Sequence, residues 1–362
     1  MPLPDESSTG KLSAARAIRV LRVFDDGAGV MRPAWIAPPA AGSQSPCRPE
    51  RPRNGAPSGL VEADTIHRRL EQNAARDAQE IAVSCAFQKI TYGELNIKAN
   101  RLARYLRRFA ASPATPIAIV FEPSIATIVC LVAVLKAGNP YIPLDPEAAP
   151  TQTAAILAQT EALVLLPSQA TTVRLPARRG RTINVESEKE SIEAASAVNL
   201  PLQPAIEGAE CPAFHAFSEN RGGAAISHRA CLETVESLRA TLGVTSADSF
   251  AVTMQPDAEI AGICLLAPLL CGARLILAPS GEDGMRAFFL DQIERSRSIV
   301  MQATPAIAAA LVRARWQVRA KLKLICAGDS WPDELMKTLD AAGVDVWRLH
   351  AANGSYQLTR CQ

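Results

Sequence analysis

Aromatic residues are scarce, at 5% of a 362-residue chain. So few rings offer no stacking platform for a single-stranded nucleic acid. An excess of either charge is also missing, because 38 Lys and Arg stand against 36 Asp and Glu for a net +2. A dedicated nucleic-acid binder carries a basic patch or stripe, so no nucleic-acid partner is expected. Long apolar runs are absent. The longest, Ile125 to Leu135 and Ala261 to Ala273, fall well short of the ~20 residues that span a bilayer. They read as buried core elements, and no membrane partner is expected. The nine cysteines include no Cys-x-x-Cys pair and no zinc-type Cys/His spacing. Nine is odd, and Cys130, Cys264, Cys271 and Cys326 sit inside apolar runs. That pattern predicts free, buried thiols in a reducing compartment, hence a cytoplasmic protein. No secretory signal is read either, since Asp5 and Glu6 come early and no apolar stretch follows them.

What the chain does contain is ordinary globular material, 48% hydrophobic, without a fixed-period repeat. Its first part differs. Pro33, Pro38, Pro39, Pro46, Pro49, Pro52 and Pro57 crowd one stretch with Gly, Ser and Arg between them. Few apolar side chains there offset the entropy of ordering, so residues 1–63 are expected to be a disordered Pro/Arg-rich leader and residues 64–362 the folded core. Within the core, Thr91-Tyr92-Gly93-Glu94 spells a capping box. The helix it opens places Leu95, Ala99, Leu102 and Leu106 on one face, with Arg101, Arg104, Arg107 and Arg108 on a solvated side. Ser124 and Gly138 read as the start and stop of a second, uniformly apolar helix. Short Ile/Val/Leu runs then alternate with helical stretches. Strands are predicted at Ile117–Phe121, Tyr141–Leu144, Leu163–Leu166, Arg274–Ala278, Ser298–Ala303, Leu322–Ala327 and Val344–Leu349. Helices are predicted at His228–Leu242, Ile260–Leu270, Phe288–Arg295, Ala306–Ala314 and Pro332–Ala341. This alternation predicts an α/β fold, with parallel sheets flanked by helices on both faces.

Ligands of open α/β sheets bind beyond the carboxyl ends of the strands. That rule selects Gln302-Ala303-Thr304-Pro305, Ala327-Gly328-Asp329-Ser330 and the stretch from His350. Asp329 could meet a ribose, an amine or a metal, while Ser330 and Asp333 could cap the next helix. Asp257 and Glu259 open a very apolar helix, where a carboxylate either complements the helix dipole or anchors a cationic ligand group. Ser218 to Ser227 is Gly-rich ahead of a helix but lacks the Lys and the spacing of a phosphate loop, and reads as a turn.

Several strings, in order, resemble the adenylation domains of nonribosomal peptide synthetases, the AMP-binding, acyl-adenylate-forming superfamily. Ile90-Thr91-Tyr92-Gly93-Glu94-Leu95-Asn96 with Ala99-Asn100-Arg101-Leu102-Ala103 is similar to the family's first core motif. Leu135-Lys136-Ala137-Gly138 through Tyr141-Ile142-Pro143-Leu144-Asp145-Pro146 is similar to the second. Ile226-Ser227-His228-Arg229-Ala230, Pro268 to Leu275, Gln302 to Pro305 and Leu324 to Asp329 continue the correspondence from about Asp64 onward. The resemblance implies the large N-terminal core of the adenylate-forming fold. It implies a family that activates an amino acid or small carboxylic acid with ATP and Mg²⁺ and passes it to a carrier-protein thiol, beside carrier-protein or condensation domains. It puts Glu259 where the family has the Asp that pairs with a substrate amine, and Ala327 beside it in the substrate pocket. Gly328 and Asp329 fall on the nucleotide-side Gly-Gly-Glu stretch, His350 on the Tyr that packs on adenine, and His228 on the His that follows the phosphate loop.

The departures carry an expectation of their own. The family's TSGSTGxPKG loop is replaced by Phe217 to Ile226, about four residues shorter and without the Lys. Asn353 and Gly354 stand for the Thr and the Mg²⁺-holding Glu of YGPTE. The string ends at Gln362, before the family's ribose-binding Asp, hinge and small C-terminal domain with its catalytic Lys, so these are expected to be absent. No residue is assigned a catalytic or metal-holding role. The expected function is a degenerate, truncated adenylation-type domain that is inactive alone. The alternatives are a non-catalytic interaction module or decaying gene product, and an active ligase completed in trans.

Overall fold

The computed structural model describes residues 64–109, 115–158, 162–168, 181–201, 208–218, 222–252, 258–278, 288, 291, 298–313, 321–326, 331–352 and 355–361, together with strands β1 (Val23–Phe24) and β2 (Arg32–Pro33). The leader expected over 1–63 lies outside the described residues apart from that two-strand pair, as does the helix expected over Phe288–Arg295 apart from residues 288 and 291.

From residue 64 the chain runs α1 (Ile66–Arg76), β3 (Ile81–Cys85), β4 (Gln88–Thr91), α2 (Tyr92–Leu106), β5 (Ile117–Val120), α3 (Ile125–Ala137), β6 (Tyr141–Leu144), α4 (Pro150–Ala158), β7 (Leu163–Leu166), β8 (Thr182–Asn184) and α5 (Lys189–Glu193). It continues with β9 (Pro212–Ser218), β10 (Gly222–Ser227), α6 (His228–Leu242), β11 (Ser249–Val252), α7 (Ala258–Cys271) and β12 (Arg274–Leu277). Last come β13 (Ser298–Ala303), α8 (Pro305–Arg313), β14 (Lys321–Cys326), α9 (Asp333–Ala341), β15 (Asp345–Ala352) and β16 (Ser355–Arg360).

Local chemistry accounts for the helix ends. The Thr91 hydroxyl accepts the Glu94 N–H at 3.2 Å while the Glu94 carboxylate accepts the Thr91 N–H at 2.9 Å, the reciprocal pair that opens α2. Ser124 caps α3 through the Thr127 N–H at 3.1 Å. Gly138 ends that helix at φ 88°, a conformation costly for any residue with a Cβ. One expectation fails here. Arg104 and Arg107 are not merely a solvated face, because Arg104 donates to the carbonyls of Ser196 and Asn199, and Arg107 to those of Lys136 and Ala137 at the end of α3. The cap expected from Ser330 lies outside the described residues, and Pro332 is the N-cap of α9.

Two sheets result. The six-stranded sheet has the order β10-β9-β6-β5-β7-β8, and the eight-stranded sheet the order β16-β15-β14-β13-β11-β12-β3-β4. Their interiors are parallel, as the alternation predicts. Antiparallel strands close the edges at β10–β9, β16–β15 and β4–β3. Helices α1, α2, α3, α6 and α7 share one apolar core with inner faces of both sheets, including Ile119, Phe214, Leu275 and Val300. A second core places Ile307 and Leu311 of α8 and Leu339 of α9 on the outer face of the large sheet, and a third places Leu157 of α4 on the outer face of the small one. The layers therefore run helix, sheet, helices, sheet, helix.

Candidate functional site

In the large sheet β15, β14, β13 and β11 are successive neighbours and all parallel, so their carboxyl ends leave by one edge. The register fixes the levels, with Gln302 opposite Ile325, Ala303 opposite Cys326, and Cys326 opposite Arg348. Residues 327–329 follow directly after Cys326, and α7 begins six residues after the end of β11 at Val252. The topology thus brings the start of α7 and the ends of β13, β14 and β15 to one edge of one sheet. That is where an open α/β sheet binds its ligands.

The expected site residues are described to different depths. Glu259 lies in the first turn of α7, and its side chain is outside the described part. Ala327, Gly328 and Asp329 lie outside the described residues. His350 is described in its backbone only, and its placement differs from the expected position beyond a strand end. It lies inside β15, paired with Gln357 of β16. The strand runs on past Leu349 because β16 supplies a hairpin partner, and the polar Ser-Tyr-Gln-Leu-Thr-Arg sequence of that partner gives little strand signal.

Residues at this edge that are described add two features. Gln302, at the end of β13, is 2% exposed, and its side-chain oxygen has no hydrogen-bond partner among the described residues. A buried amide oxygen without a partner costs about 1–3 kcal/mol, and such groups ordinarily find a protein, water or ligand donor. The sequence placed Gln302 at a strand end but held no sign of that unmet bond. Next to it, Cys326 ends β14, and burial, with Cys361 beside it, pushes its thiol up to about 12, so it stays protonated. A groove of about 260 Å³ lined by Asp333, Met336, Val344 and Cys361 belongs elsewhere, because Val344 and Val346 lie at the amino end of β15.

The Gly-rich stretch before α6 is a strand hairpin. β9 and β10 pair from Phe214 opposite Ile226 to Ser218 opposite Gly222, leaving residues 219–221 between them. The turn read over Ser218 to Ser227 is corrected here, since Gly222–Ser227 form strand β10, while residues 219–221 lie outside the described residues. Ser227 then caps α6 through the Ala230 N–H at 3.1 Å. His228, the first residue of α6, is buried, with its Nδ1 accepting the Ile66 N–H at 3.3 Å. Burial lowers the His228 pKa to about 4. His228 is thus a neutral structural group that ties α6 to α1. Among the described residues no cluster of three or more His, Cys, Asp or Glu side chains is spaced to hold a metal ion, and no helix is long and apolar enough to cross a membrane.

Known proteins share both the sequence and the architecture. Tyrocidine synthase 3 of Brevibacillus parabrevis is 31% identical over 252 residues, which are 68% of this chain and 4% of that protein. Chondramide synthase cmdD of Chondromyces crocatus is 39% identical over 145 residues, 39% of this chain and again 4% of the relative. The chain therefore spans a small fraction of the curated relatives it matches. Among solved structures, the nonribosomal peptide synthetase FmoA3 superposes with a TM-score of 0.72 at 22% identity, covering 84% of this chain and 33% of that one. VinN in complex with L-aspartate superposes at 0.68 with 18% identity, covering 83% and 78%. At such identities the superpositions establish the fold, that of the large core of adenylate-forming domains. The sequence model of AMP-binding enzymes matches residues 70–351, most of the described core, and the chain belongs to that family.

Proposed function

We propose that this chain is an adenylation-type AMP-binding core that retains a pocket for a small amine-bearing acid and does not by itself form acyl-adenylates. The observation that carries the reading is the β9–β10 hairpin. Strand pairing continues to Ser218 opposite Gly222, so three residues, Glu219, Asn220 and Arg221, replace the loop in which the family holds the ATP phosphates. A phosphate cradle needs several successive backbone N–H groups converging on the anion, and commonly a Lys. Three residues, none of them Gly or Lys, are fewer than such a cradle uses. The donors for a nucleotide-bound Mg²⁺ fare no better, since Gly354 stands in place of a carboxylate. The residues present do not fit ATP and Mg²⁺ as the family uses them. Because charge stabilisation in the transition state is the largest single contribution to most such reactions, its loss argues against catalysis by this chain alone.

On the acid side the sequence keeps a carboxylate, Glu259, at the position of the family's Asp. Glu259 starts α7 at the carboxyl edge of the large sheet, and the orphaned amide oxygen of Gln302 lies at the same edge. A carboxylate there pairs with a substrate ammonium. With one methylene more than Asp it favours a smaller amino acid than the family's usual substrate. Ala327 would line this pocket, and Gly328, Asp329 and His350 any nucleotide side that survives. Carrier-protein or condensation domains, the neighbours of such cores in nonribosomal synthetases, are the partners this reading implies. Titration calorimetry with amino acids and with AMP tests it. Glu259→Ala should weaken amino-acid binding at least fivefold, about the ~1 kcal/mol of a modest charge-assisted bond, and leave AMP unchanged, whereas His350→Ala should do the reverse. Absence of any binding by the wild type would refute the pocket and favour a non-catalytic interaction module.

A further inference from the structure

The N-terminus of α1 has an unusual cap. Its N-cap residue, Thr65, makes no side-chain cap bond to a helix backbone N–H, and the first helical N–H, that of Ile66, donates instead to Nδ1 of His228 on α6. The donor is a backbone amide, so the accepting nitrogen must be unprotonated, and the imidazole is neutral with its proton on Nε2. Protonation would put a hydrogen on the atom that accepts, and bond and charge are mutually exclusive. His228 is also the first residue of its own helix. An imidazolium there would lie at the positive ends of two helix dipoles at once.

We propose that His228 is an acid-sensitive latch: neutral, it holds α1 on the core, and on protonation it releases α1 as a unit. Burial depresses His228, and the cations nearby bear on its neighbour His67. From α1 itself His67 stands edge to face with His228, ring centroids 5.8 Å apart, with a ring nitrogen 3.3 Å from the Thr65 hydroxyl. Arg68 of α1, Lys136 of α3 and Arg107 after α2 add positive charge that bears on His67. Of the nearby carboxylates, Glu71 is paired with Lys136, while Asp64 and Glu236 are paired with Arg69. From Gly262 to Cys271 α7 presents no charged residue. Burial holds His228 near 4, and His67 is held well below the usual range by burial, then by His228 and the three cations.

Release would be cooperative. The Asn73 amide, at the other end of α1, donates to the carbonyls of Leu269 and Leu270 that end α7, at 2.8 and 3.1 Å. Departure of α1 uncaps α7 and strips Lys136 of its carboxylate. Hydrogen exchange followed by mass spectrometry on the full chain, corrected for the intrinsic pH dependence, tests the latch. With His228 near 4 when docked and near ~6.5 when free, linkage predicts that the protection of α1 falls roughly fiftyfold between pH 7 and pH 4.5. His228→Asn, which keeps an acceptor and does not titrate, should remove most of that fall. Should this variant not fold, labelling of the wild-type Cys271 thiol by 4,4′-dithiodipyridine, which reacts in acid, reads the same event and should accelerate over the same range. Equal protection of α1 and α3 at pH 4.5, an unchanged Cys271 rate, or a His228→Asn variant that releases α1 as the wild type does would overturn the proposal.

Discussion

Replacing Gly262 by Ala tests how the central helix layer is set against the small sheet. A Cβ at Gly262 would lie 2.9 Å from Cε2 and 3.0 Å from Cζ of Phe214, and 3.1 Å from the Tyr141 hydroxyl. Neither ring can move freely. Phe214 stacks on Tyr141 with centroids 5.1 Å apart, Tyr141 stacks on Phe121 at 6.0 Å, and Phe214 and Tyr141 are wholly buried. Helix α7 thus rests on a three-ring stack that only glycine lets it approach. Overpacking of this kind costs about 1–3 kcal/mol, and the better helix propensity of Ala returns about 0.5–1. The expected net loss is about 1–2 kcal/mol, seen as a lower urea midpoint at unchanged slope. Adding Phe214→Leu should recover part of that loss, because the clash is with the ring, so the double variant should be more stable than the sum of the singles. A Gly262→Ala chain as stable as wild type, or more so, would refute the close-approach argument.

Two further outcomes are expected. The Lys136 side chain is 1% exposed and paired with Glu71, so Glu71→Gln strands a buried cation and should cost about 3–5 kcal/mol. Lys136→Met leaves only the partly exposed Glu71 unpaired and should cost less, as paired urea titrations will show. Global stability should fall with acid. The folded pKa of His228, depressed by burial to about 4, lies below its unfolded ~6.5, so the unfolded state binds the extra proton. Its contribution is fully present above about 6.5 and lost as pH falls towards 4, about 3 kcal/mol in all at 1.36 per unit. A flat urea midpoint from pH 7 to 4.5 would contradict that sign.

The parts of the fold that the sequence made legible are those written in local chemistry. Thr91 with Glu94, Ser124 and Gly138 mark helix ends because a cap needs only residues three or four apart, and α6 was bounded correctly at His228 and Leu242. Strands such as β5 and β13 stand out as short β-branched runs. β9, β10 and β16 do not, because Pro212-Ala-Phe-His-Ala-Phe-Ser and Ser355-Tyr-Gln-Leu-Thr-Arg mix polar with apolar residues and gain their strand character from a hairpin partner. The role of His228 was hidden for a different reason, since the N–H it accepts lies 162 residues away. Arg104 and Arg107 mislead in the same manner, since a helix pattern shows which face they occupy and not which carbonyls wait opposite. For the candidate site, the carboxyl-edge rule names strand ends that the topology puts on one edge, and the unmet bond of Gln302 among the described residues is a property of the closed core.

The loss of the phosphate loop is the central claim, and amino-acid-dependent exchange of pyrophosphate into ATP measures it most directly. The purified 362-residue chain with Mg²⁺, ATP and each proteinogenic amino acid should show no exchange above the enzyme-free background. Grafting a loop of the family's TSGSTGxPKG pattern between Ser218 and Gly222 should be necessary, though not sufficient, for any signal. Substrate-dependent exchange by the unaltered chain would contradict the account, for it would mean that three residues between paired strands hold the ATP phosphates after all.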